Sequence, residues 1–145
     1  MFNWLKSLVA GPRRIEDPVF GSLLYMRDYW EGQGRFEPTE EQIEWFVSAG
    51  EEGPSEPQYE SFRTICARYS ELEAKAHEAI RAAVASYSQP ALDTRALKLV
   101  ALDVPLSLND ALPWELSFCR EGPEAWHYAV EFVGSEPSGI VDVSR

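Results

Sequence analysis

The chain has 145 residues, with 24 Asp and Glu against 13 Lys and Arg, and a formal net charge of -11. That length fits one domain with one core, and 5 Trp, 6 Tyr and 7 Phe argue against a fully disordered chain. A surface of this sign repels phosphate backbones, which argues against non-specific nucleic-acid binding.

The first element is an arm over residues 1–14. Phe2, Leu5, Leu8 and Val9 fall near helical spacing, and Lys6, Arg13 and Arg14 give this end a charge of +3. Lys6 interrupts the apolar run too early for a signal peptide. The arm is expected to pack on its own domain or on a neighbouring chain. Contact with an anionic membrane surface is the second reading, because roughly ten residues bind membranes only marginally. Gly11-Pro12 closes the arm, and one domain is expected over 15–145. No run in the chain approaches the ~18 apolar residues of a membrane span. The two cysteines, Cys66 and Cys119, sit among apolar residues. They read as buried reduced thiols rather than a disulfide scaffold, which makes the cytoplasm the expected location.

Strand texture begins at Asp17. Val19, Gly21, Leu23 and Tyr25 alternate with Phe20, Ser22, Leu24 and Met26, and a second strand runs from Tyr29 to Phe36 through Gly32 and Gly34. Arg27-Asp28 is the expected turn between them. Ile43, Trp45 and Val47 alternate with Glu44, Phe46 and Ser48 as a third strand, so the first half reads as a three-stranded antiparallel meander. After a loop over 48–57, Ser55 with Gln58 fits a capping box, and Pro57 suits a first helical turn. One long helix is expected from Tyr59 to Tyr87. Phe62, Ile65, Cys66, Tyr69, Leu72, Ala76, Ile80 and Val84 form its apolar stripe, and Gln89-Pro90 stops it. Strands return at Leu97–Leu106, Trp114–Cys119 and Trp126–Val133, and Ile140–Val143 reads as a last edge strand. Segregated strands around one helix indicate an α+β fold: an antiparallel sheet of about six strands with the helix across one face.

The chemistry-bearing inventory is thin. There is no CxxC, HExxH or GxSxG, and Gly32-Gln33-Gly34 does not lead into a helix, so neither a local zinc signature nor a phosphate loop is present. No cofactor is expected. Cys119 and His127 would approach across a predicted hairpin, with Glu131 on the same face as His127. These three are the candidates for an enzymatic alternative. Carboxylates are abundant: residues 16–52 hold ten acidic residues and two basic ones. Glu40-Glu41 and Glu51-Glu52 lack the Asp-x-Asp-x-Asp-Gly frame of a calcium loop. Aromatics interleave with the acids in this stretch, the composition of an interface anchor with a charged rim. Trp30, Glu31, Glu40, Glu41, Glu44, Trp45, Glu51 and Glu52 are the candidate residues for binding a basic protein partner.

Asp17-Pro18-Val19-Phe20-Gly21-Ser22-Leu23 followed by Tyr29-Trp30-Glu31-Gly32 resembles the opening of small bacterial α+β families of unknown function, which start with an FG-x-L … W-x-G hairpin. Some of their members look like immunity proteins encoded beside toxins. The resemblance covers residues 17–36, and its motif brings no catalytic residue with it. It implies a small bacterial binding protein. The expected function is therefore a non-enzymatic cytoplasmic binding protein of the immunity-inhibitor kind. The alternatives are the Cys119/His127/Glu131 enzyme and a structural module whose N-terminal arm exchanges within a homodimer.

Overall fold

Alternating side chains build the sheet, and the computed structural model describes residues 13–86, 92–109, 111–122 and 125–145 of it. The expected arm thus lies outside the described residues except for Arg13 and Arg14. Arg14 is already the first residue of strand β1 (Arg14–Asp17). Strands β2 (Gly21–Tyr25), β3 (Tyr29–Phe36) and β4 (Glu41–Ser48) follow, then helices α1 (Glu56–Ala67) and α2 (Tyr69–Ala85). The chain ends with β5 (Leu97–Val104), β6 (Pro113–Arg120), β7 (His127–Val133) and β8 (Glu136–Ser144).

Among the described residues the α+β class stands, with eight strands and two helices where about six strands and one helix were expected. The sheet order is the order of the sequence, β1 through β8. Neighbours are antiparallel throughout except at the centre, where β4 and β5 run parallel. The exception follows from the helices: a parallel pair requires a long crossover, and α1 and α2 lie in that connection. Strand texture was expected from Asp17 through Val19 and Phe20, but Asp17 ends β1 and Pro18–Phe20 form a turn. Asp17 Oδ2 accepts from the Val19 and Phe20 backbone N–H groups, each at 2.9 Å. Gly21, at φ +71°, completes the reversal. The four residues before this turn pair with β2 from Arg14↔Leu24 to Asp17↔Gly21, a strand too short to show a period. The Arg27-Asp28 turn forms as expected, with Met26 N–H donating to the Tyr29 carbonyl at 2.7 Å.

The expected single helix is two. It starts three residues early, at Glu56, where the Ser55 backbone N–H donates to Gln58 Oε1 at 3.0 Å. It breaks at Arg68, which is non-helical at φ -107° and ψ 12°. No glycine or proline marks that break. Arg68 instead makes tertiary contacts: its Nη1 donates to Ser135 Oγ at 2.7 Å, and its guanidinium pairs with Glu71. The buried stripe runs through the break without losing its spacing: Gln58, Ser61, Ile65, Tyr69, Leu72, Ala76, Ile80 and Val84. The described helix ends at Ala85, and the expected stop at Gln89-Pro90 lies outside the described residues.

Both helices cover one face of the sheet. Leu23, Trp30, Phe36, Ile43, Trp45, Val47, Leu102, Trp114, Leu116, Phe118, Tyr128, Val130 and Phe132 point into that layer and are buried. The intervening strand residues project from the opposite face, which no described element covers. Among the described residues, no helix is long and apolar enough to cross a membrane.

Candidate docking face

The period of a strand is two residues, so one register decides which residues share a face. Glu31 pairs with Phe46 across β3–β4, and Phe46 pairs with Asp103 across β4–β5. Glu115 pairs with Glu131 across β6–β7. Asp103 and Glu115 line the same depression, so these residues make one row across five strands. The neighbouring row carries Gln33 opposite Glu44, Glu44 opposite Ala101, Ala101 opposite Ser117, Ser117 opposite Ala129, and Ala129 opposite Asp142. The open face thus gathers six carboxylates around a floor of small residues, with Phe46 near its centre.

Two shallow depressions mark this face. One, of about 610 Å³, reaches from Arg14 and Ser22 to Glu44 and Phe46. The other, of about 330 Å³, lies between Tyr29, Phe46, Asp103 and Glu115. Phe46 lines both. Among the described residues, none of Glu31, Glu44, Asp103, Glu115, Glu131 and Asp142 forms an ion pair with a Lys or Arg. At Asp103 and Glu115 the environment disfavours the charge. Burial, with Glu115 alongside, pushes the Asp103 carboxyl up to about 6. Burial, then Asp142 and Glu131, push Glu115 above the usual carboxylate range. The acids are spread along the sheet, and among the described residues no three His, Cys, Asp or Glu gather as ligands for one metal ion.

The expected partner-binding residues divide sharply. Glu31 and Glu44 lie on the open face. Trp30 and Trp45 do not: both are buried among the helix-facing residues. The Trp30 indole donates to the Gly50 carbonyl at 2.8 Å, and the Trp45 indole to the Phe20 carbonyl at 3.2 Å. They are core pins, and the expectation of a Trp-bearing surface is corrected on that ground. Glu40 sits in the β3–β4 turn, paired with Arg35 at 3.2 Å. Glu41 pairs with Lys98 at 3.3 Å, and Glu51 lies 4.0 Å from Arg13 in the loop that also holds Glu52. Sequence reading missed Asp103, Glu115 and Asp142 as members of one surface with Glu31. Each is a polar residue in an otherwise apolar alternation, which was visible. The strand order that unites them was not.

The residues proposed for the enzymatic alternative are not assembled. Cys119 and His127 are cross-strand neighbours on the open face. Glu131, however, stands four residues beyond His127 along β7, about 13 Å away at the strand rise. The other thiol, Cys66, is half-buried, and burial pushes it up to about 11. No family model matches the chain, and no curated protein or solved structure matches it.

Proposed function

We propose that this chain is a non-enzymatic binding protein that captures a basic protein partner on the open face of its sheet. The observation that carries this reading is the row Glu31, Asp103, Glu115 and Glu131, with Glu44 and Asp142 beside it. These carboxylates are held on a rigid sheet without cations of their own among the described residues. A rigid acidic face with a half-buried aromatic, Phe46, supplies charge for steering and apolar area for contact. The net charge of -11 adds long-range attraction for a cationic partner. It also opposes pairing of this face with a second copy of itself. The resemblance of residues 17–36 to the opening of immunity-like proteins supports an inhibitor that works in the cytoplasm.

The test separates this face from net charge alone. Glu31→Lys, Glu44→Lys and Glu131→Lys are combined in one variant, and Glu51→Lys, Glu52→Lys and Glu78→Lys in another. Both carry the same charge change. Binding of deca-lysine is then measured at several salt concentrations. The face variant is expected to lose at least tenfold in affinity and to flatten the salt dependence, while the control loses less than threefold. Equal losses in the two variants would overturn the reading.

A further inference from the structure

The acidic row has a property that a simple cationic landing site does not need: its central members are crowded against one another. We propose that capture of the basic partner is proton-linked, with Asp103 giving up a proton as the partner's cations arrive, so that the face releases its partner as the medium turns acidic. This rests on the docking reading above.

The geometry around Asp103 supplies the argument. Phe46 stands directly opposite on β4, with Glu31 opposite Phe46 on β3. Glu115 and Ser117 face it from β6, and Asp28, Tyr29 and Ser48 line the same depression. Glu131 on β7 is opposite Glu115, and Asp142 on β8 adds a further negative charge at Glu115. Along its own strand the nearest cation is Lys98, five residues away, about 16 Å at the strand rise. Lys98 is itself tied to Glu41. Of the other cations on this face among the described residues, Arg14 is on the edge strand β1, and Arg35, near the end of β3, is paired with Glu40. Asp103 is therefore surrounded by carboxylates and apolar or hydroxyl groups.

Such a site holds a proton well above the usual aspartate range, and Asp103 is pushed up to about 6. A Lys or Arg placed against the row reverses the balance, because an opposite charge favours the carboxylate. Binding then expels the proton, and by linkage the proton opposes binding. If the bound carboxyl returns to the ordinary aspartate range, affinity falls about tenfold between pH 7.5 and pH 5.

The experiment is calorimetric titration of the full chain with deca-lysine at pH 6, in two buffers of different ionisation enthalpy. Release of about half a proton per complex is expected. Affinity measured at pH 7.5 and pH 5 should differ about tenfold in the native chain and less than twofold in Asp103→Asn. Glu51→Gln with Glu52→Gln should keep the native behaviour. Binding that depends on the face but releases no proton overturns the linkage and leaves the docking reading standing. Binding indifferent to the face charges overturns both. A carboxyl-carbon NMR titration of the free native chain needs no variant: Asp103 titrating in the ordinary aspartate range overturns the linkage by itself.

Discussion

Glu115 and Glu131 stand directly opposite each other on β6 and β7. Like charges at such a position destabilise a sheet, by up to ~1 kcal/mol. Glu131→Gln removes the repulsion and keeps the shape. It is expected to raise stability at pH 7.5 by about 0.5 kcal/mol, read as a higher urea midpoint with an unchanged slope. A lower midpoint would mean that the Glu131 carboxylate has a stabilising partner.

Asp103 makes stability depend on pH with a definite sign. Its folded-state value of about 6 lies above the ordinary 3.8, so folding disfavours the charged form. The cost is full above pH 6 and is relieved as pH falls from 6 toward 4. Asp103→Asn is expected to stabilise the fold at pH 7.5 by about 3 kcal/mol, and to keep little of that gain at pH 4. Urea denaturation of the two proteins across that range measures the difference. A gain independent of pH would assign the effect to packing instead.

Gly34 lies under the Trp45 ring. A Cβ built on Gly34 would stand 2.5 Å from Trp45 Cη2. The ring has little room to yield, since its indole N–H donates to the Phe20 carbonyl and the ring makes T-shaped contacts with Phe20 and Phe62. Gly34→Ala is expected to cost about 1–3 kcal/mol, measured by chemical denaturation. A neutral result would show that Trp45 is free to shift.

Asp17 joins the first turn to helix α1. Its Oδ2 holds the Val19 and Phe20 N–H groups, and its Oδ1 accepts from the Tyr59 hydroxyl. Burial, together with Asp17, pushes the Tyr59 phenol up to about 12. Tyr59→Phe is expected to cost about 1.5–3 kcal/mol, the range of a hydrogen bond to a charged acceptor. Ultraviolet titration of the native chain should show Tyr59 un-ionised at pH 11 alongside the buried Tyr69, and the variant should show one late-titrating tyrosine fewer. Ionisation of Tyr59 near 10 would contradict the bond.

Much of the fold was legible because its signals are local. Trp114, Leu116, Phe118, Tyr128, Val130 and Phe132 announced their inward face by alternation, and the stripe from Ile65 to Val84 announced the helical layer. The break at Arg68 carried no such sign, since its contacts reach Ser135, distant in sequence. The candidate site was legible only in part. Glu31 and Glu44 were found through the acidic density of the first half. Trp30 and Trp45 were misread with them, because charged neighbours in sequence say nothing about the face a strand residue occupies.

By itself, the sequence determined the α+β class, the inward half of most strands, the turn at Arg27-Asp28 and the helix start near Ser55. All of these depend on residues a few positions apart, where sterics and period act directly. Tertiary structure alone decided that β4 and β5 lie side by side and parallel. That single junction brings Glu31 and Asp103, 72 residues apart in the chain, onto one surface, because a crossover sets strand order and no local pattern encodes it.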